Sequence, residues 1–310
     1  LLVCAATGAQ ADVSEPLLSD LVWLHKDADP IIALTMAPPE PNASNDRFAE
    51  TNEYELGRLA FRSPTTLGGL AARMNMSCQT CHTNGGRNRE FFAATLSTEP
   101  GTFDPTNALF NKKTDNDLFD PIEIPELFGV ANNAPYPSDD RFETLSAMTR
   151  HVIVDEFAGA EPPKPVFDAI IFYMRQLKRP SSKAAITKWG LCEDLRELDR
   201  YGVVFENALE ANDAPTSDFV LHAIRRHLAS IHERYAETPV AQEELAKAGV
   251  ALVAVRKLIE DEDYGKASTT FGRIIGEMDR DLLSRAEANS YYEPSVLMNA
   301  LSMNTPHRRD

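Results

Sequence analysis

Cys78, Cys81 and His82 lie in the run Met76-Ser77-Cys78-Gln79-Thr80-Cys81-His82-Thr83, and their spacing dictates a chemistry. Two thiols three positions apart on a short helical turn can each form a thioether to one haem vinyl group. The adjacent imidazole then lies under the ring as the proximal iron ligand, which is the C-x-x-C-H attachment pattern. Other uses of a cysteine pair fit less well. A structural zinc site needs a second ligand pair, and the other cysteines, Cys4 and Cys192, are isolated. A thioredoxin-type redox pair belongs in a βαβ pattern, which is absent around Cys78. One motif predicts one covalent haem c. Arg87 and Arg89 follow closely after His82, and either guanidinium could pair with a haem propionate; the alternative is two solvated arginines.

The elements that must position this turn are helical. Residues 52–62 carry Tyr54, Leu56, Leu59, Ala60 and Phe61 as an apolar face, and Ser63-Pro64 stops the helix. Residues 17–28 make a short helix at best, and the proline-rich stretch 29–45 is expected to be extended around the outside of the haem domain. Residues 84–120 read as a long loop over the haem edge. Helices are expected over 144–156 and 165–177, the latter with Val166, Ile170, Tyr173, Met174 and Leu177 on one face; Lys178-Arg179-Pro180-Ser181-Ser182 is a linker. Beyond it, apolar stripes at helical spacing cover 186–209, 217–235, 241–259 and 267–288, and such stripes need antiparallel neighbours to bury against. The expected organisation is therefore all-α: a haem domain over 12–180, a helical bundle over 181–298 and a disordered tail over 299–310.

Composition narrows the partners. A net charge of −16 opposes nucleic acid, and no run approaches the length of a membrane span. Residues 1–11 are small and apolar and end Ala9-Gln10-Ala11, which resembles the trimmed end of a secretory signal cleaved after Ala11. Cys4 offers a lipid-anchor alternative, against which the preceding Val3 argues. Covalent haem is attached outside the cytoplasm, so the expected location is the periplasm. His222, His227 and His232 recur at spacings of five, which do not share a helix face, and read as rim residues. Cys192 reads as a buried small apolar group. Residues 252–274 faintly echo one tetratricopeptide-like helix pair, equally an ordinary bundle segment.

Between Tyr54 and Leu177 the chain resembles the MauG / bacterial di-haem cytochrome c peroxidase superfamily. The resemblance rests on Glu55-Leu56-Gly57-Arg58-Leu59-Ala60-Phe61 before the haem motif, and on Ile124-Pro125-Glu126-Leu127, Ala134-Pro135-Tyr136, Arg141 and Thr144-Leu145 after it. It implies a cytochrome c-like haem domain. Those peroxidases use two haems and an "HDG" triplet; here there is one C-x-x-C-H, and the triplet is Ser138-Asp139-Asp140. The resemblance also implies a distal ligand a few residues after Thr144, where His151 falls. Met148, one helical turn earlier, and Met174 are the alternatives.

These features lead to an electron-transfer cytochrome with no catalytic residue assigned, docked to redox protein partners or a larger electron-transfer complex through its helical module. The alternative is a peroxidase- or oxidase-like haem enzyme with an open distal site fed by an external donor. A third reading makes the haem structural and the bundle an adaptor surface.

Overall fold

The computed structural model describes residues 18–41, 51–136 and 142–304. The expected signal remnant with Cys4 and Ala11, and the segment from Ser138 to Arg141, lie outside the described residues.

The described residues are mainly helical, as their periodicities require, and among them are two small two-stranded antiparallel sheets. A 3-10 turn over Ser19–Trp23 replaces the short helix expected there. Part of the stretch expected to be extended is instead helical, as α1 (Pro30–Thr35). Asp29 Oδ1 accepts from the backbone N–H groups of Ile31 and Ile32, and Pro30 sits at the first helical position, where its fixed φ and missing N–H do no harm. Strand β1 (Met36–Ala37) follows.

Helix α2 (Asn52–Arg62) is capped by Thr51 and ends at Ser63 before Pro64. It packs most extensively against α6 (Lys164–Gln176). Gly57 makes that approach possible: a Cβ there would lie 2.0 Å from the carbonyl oxygen of Ala169 and 2.7 Å from Cβ of Tyr173. Phe61 and Tyr54 then meet the Tyr173 ring at centroid distances of 5.3 and 5.2 Å. The short helices α3 (Gly69–Arg73) and α4 (Cys78–Cys81) follow, and α4 lies beside α2.

The long segment after His82 is not featureless. Strands β2 (Thr102–Phe103) and β3 (Ile122–Glu123) pair antiparallel and pin the middle of the segment to the residues just past its end. Helix α5 (Leu145–His151), capped by Thr144, runs into a π-helical turn at Val152–Glu156. Strand β4 (Thr187–Lys188) pairs with β1, so the start of the stretch expected as a helix from 186 is instead fastened back onto the N-terminal part, and the helix begins only at Leu191.

Four long helices follow: α7 (Leu191–Glu210), α8 (Ala214–Arg234), α9 (Pro239–Glu260) and α10 (Tyr264–Glu277). Consecutive members pack on one another, as their short connections favour. Two expectations need correction. The single helix expected over 267–288 is two, because Met278 turns extended and Asp279 caps α11 (Arg280–Ala286) by accepting from the N–H of Leu282. The tail expected to be disordered begins as helix α12 (Pro294–Asn304), whose Leu297 and Ala300 pack with Leu18, Leu34 and Tyr291.

One hydrophobic core runs from Tyr54 and Phe61 on α2, through α6, to α7–α10, across the boundary expected near residue 180. At that junction the buried Arg58 of α2 donates to both carboxylate oxygens of Glu197 on α7, at 2.7 and 2.5 Å. A second apolar cluster gathers around Cys81. No helix among the described residues is long and apolar enough to cross a membrane.

Candidate functional site

The Cys78–His82 turn is held from both sides of the chain. At its start the Ser77 N–H donates to Thr80 Oγ1 at 3.0 Å, and the His82 N–H reaches back to the Cys78 carbonyl at 2.8 Å. At its exit Asn84 adopts a left-handed φ of 51°, a conformation that asparagine tolerates better than most side chains. Its Oδ1 accepts from Arg62 at 2.8 Å and Gln79 at 2.9 Å, and its Nδ2 donates to the Pro38 carbonyl at 2.9 Å. Asn88 returns its backbone N–H to the Cys81 carbonyl and its side-chain amide to that of Thr80.

His82 is oriented by a distant partner. Its Nδ1 lies 2.9 Å from the backbone carbonyl oxygen of Pro125. A carbonyl can only accept, so Nδ1 carries the proton and Nε2 presents a bare lone pair. Metal-ligating histidines are characteristically held this way by a carbonyl or carboxylate on the other ring nitrogen. Burial pushes the imidazole pKa down to about 4, against the opposing pull of the Pro125 hydrogen bond, and keeps the ring in its neutral, ligating form at pH 7. The Pro125 segment is itself tied down, since the Leu127 N–H donates to the Gly85 carbonyl at 2.8 Å.

Cys81 is buried and Cys78 half-buried in apolar surroundings. Burial raises Cys78 to about 12 and Cys81 higher still, the opposite of the depressed pKa that thiol–disulfide chemistry needs. Cys81 belongs to a cluster with Phe91, Phe103, Phe110, Ile153 and Phe157, and Cys78 packs against both this cluster and the larger core. The rings are close: Phe103–Phe157 at 5.8 Å and Phe110–Phe157 at 4.9 Å. Two thiols on one helical turn, a neutral imidazole with its Nε2 free of the Pro125 bond, and an aromatic surround together fit a planar apolar macrocycle ligated on one face.

The other sequence candidates are placed as follows. Arg87 donates to Glu123 at 2.8 Å, so its charge is already matched; Arg89 is exposed. His151 lies between two carboxylates: Nδ1 is 2.9 Å from Asp155 Oδ2, and Nε2 is 3.6 Å from Glu156 Oε1. Its ring also meets Phe142 at 4.8 Å. Met148 is partly buried against the same core as Cys78, and Met174 is a core residue of α6. Cys192, expected to be buried, is exposed, because it lies on the solvent side of α7 beside Arg196. His227 is no rim residue: its Nε2 is 2.8 Å from the Asp194 carbonyl oxygen and its ring sits edge-on to Tyr201.

Sequence reasoning did not assign Pro125, Asn84 or Arg62. Pro125 fell inside a stretch singled out only as a resemblance. Asn84, immediately after His82-Thr83, carried the usual signature of a turn. No protein-family model matches the chain, and neither does any curated protein or solved structure.

Proposed function

We propose that this protein is a mono-haem c-type cytochrome of the periplasm that transfers electrons between protein partners. On this reading residues 12–180 form a cytochrome c-like haem domain. Cys78 and Cys81 hold the haem by thioethers, and His82 Nε2 is the proximal ligand. The observation that carries the reading is the His82–Pro125 hydrogen bond beside the cysteine pair, because it turns the Nε2 lone pair of the motif histidine away from Pro125 and leaves it oriented to ligate.

The haem supplies a one-electron couple when bound. The chain's own contributions are separable. Pro125 fixes the imidazole ring and raises its basicity as a ligand. Phe103, Phe110 and Phe157 keep water from the ring system and lower the local dielectric. His151 is the first choice for the distal position and Met148 the second. For His151, Asp155 already orients the ring through Nδ1, and Glu156 must withdraw from Nε2 for that nitrogen to ligate. The helices over 181–298 serve as the docking module for a redox partner.

The test is purification from a host that matures haem c, followed by denaturing electrophoresis with haem staining, mass measurement and ferric EPR. One covalent haem with low-spin iron is expected. Absence of covalent haem overturns the proposal. High-spin iron rapidly converted by peroxide moves the peroxidase-like reading ahead of electron transfer.

A further inference from the structure

We propose that a cavity behind the Cys78–His82 turn binds a small zwitterion of the amino-acid class. The cavity has a volume of about 340 Å³, at the small end of ligand pockets. Its floor is the reverse side of the attachment turn, through Ser77, Gln79, Thr80 and Thr83, and its walls come from α7 and α8. Neither the motif cysteines nor His82 line it, so it is separate from the haem position and independent of the haem reading.

The wall chemistry selects the ligand. Arg62 Nε and Arg234 Nη1 are buried donors without a hydrogen-bond partner, although both residues line the cavity. The Arg62 side chain is 10% exposed, so its unmet donor is costly. The carboxylates of the wall are in the reverse position. Asp194 accepts from Trp189 Nε1 at 3.0 Å and from the Tyr292 hydroxyl, and Glu197 accepts from Arg58 through both oxygens. Asp20 accepts from Asn75 at 3.1 Å and Glu233 from Ser19 at 2.9 Å, each through one oxygen, which leaves acceptor capacity on both. What the cavity leaves unmet is Arg62 Nε, whose Nη2 already donates to Glu40 and Asn84, and Arg234 Nη1; what it retains is a place for a cation at Asp20 and Glu233.

A carboxylate supplies two acceptor oxygens for the two guanidinium groups, and these charge-assisted bonds are the strong kind. The wall carries three guanidiniums, Arg62, Arg226 and Arg234, against four carboxylates, Asp20, Asp194, Glu197 and Glu233, with Glu40 paired to Arg62 and Arg58 paired to Glu197, so charges of both signs stand close to balance. A molecule with both charges and no net charge satisfies each end.

The experiment is isothermal titration of the purified, full-length holoprotein with the twenty L-amino acids, and with acetate, methylammonium and sulfate as single-charge probes. Saturable binding of one or more amino acids, without comparable binding of the three probes, is expected. Arg234→Gln should weaken that binding about tenfold or more. Ser230→Leu should abolish it by filling the cavity, while Ser230→Ala retains it and controls for folding. The proposal is overturned if no amino acid binds, if acetate or sulfate binds as well as the amino acids, or if binding in Arg234→Gln equals wild type. A high-resolution structure grown with the amino acids that shows only water at Arg62 and Arg234 overturns it equally.

Discussion

His82 and Pro125, 43 residues apart in the chain, meet through a 2.9 Å hydrogen bond between the imidazole Nδ1 and the backbone carbonyl. The bond decides which ring nitrogen is available, and with it the side of the imidazole on which a metal can sit. On the proposed haem reading, His82→Ala should therefore keep both thioethers and lose the proximal ligand. The expected result is a haem-stained band of unchanged mass class with an altered ferrous optical spectrum, restored by added imidazole. A spectrum identical to wild type would remove His82 from the iron.

The distal position can be tested on α5. His151→Ala should convert low-spin ferric iron to high-spin and open it to cyanide, whereas Met148→Leu should leave the EPR spectrum unchanged. The reverse pattern would pass the ligand role to Met148, consistent with its packing against the same core as Cys78.

Arg58 and Glu197 tie α2 to α7 inside the core, and a buried pair is most revealing when one partner is removed. Glu197→Gln removes the doubly bonded partner of Arg58 and leaves it only Glu40 at 3.3 Å and Glu55 at 3.7 Å, so it should cost at most the roughly 3–5 kcal/mol of a broken buried pair by urea unfolding at pH 7. The pair also has an acid signature. Burial alone would raise the Glu197 carboxyl, but donation and charge from Arg58, with the charge of Arg62, overcome it and hold the pKa at about 2, below the ordinary 4.5. A group with a depressed folded pKa contributes stability above its unfolded pKa. That contribution, about 3 kcal/mol, is lost as pH falls from about 4.5 toward 2. The wild-type decline across this window should be steeper than that of Glu197→Gln.

Gly57 is required by close approach and not by its backbone angles. Gly57→Ala would put a methyl group 2.0 Å from the Ala169 carbonyl oxygen, so α2 and α6 must separate. The expected cost is at the upper end of the roughly 1–3 kcal/mol seen for overpacked cores, or more. Half-buried Gly249, whose added Cβ would meet nothing within 4 Å, is the control and should gain slightly on substitution by alanine, a better helix former.

The chain's helices were legible because their signals are local. Tyr54, Leu56, Leu59 and Phe61 mark one face of α2, and the stripes of α7, α8 and α9 recur at helical spacing. Composition misleads where capping outweighs it. Asp29 started a helix in a proline-rich stretch, and Asp279 broke a periodic stripe into two. Helix α12 was missed because it is held by contacts with Leu18 and Leu34, far away in the chain.

The sequence by itself determined the Cys78, Cys81 and His82 motif on which the haem proposal rests, since its spacing is one that any helical turn reproduces. It also determined the helical character of the chain, through periodicity. Only the tertiary structure decided which nitrogen of His82 is free, because Pro125 is brought to it by the return of the chain at β3. Only the tertiary structure joined the two expected domains, because a guanidinium on α2 and a carboxylate on α7, 139 residues apart, can be desolvated only together. Spacing along a chain encodes geometry within one element; charges and lone pairs that meet across elements are set by packing.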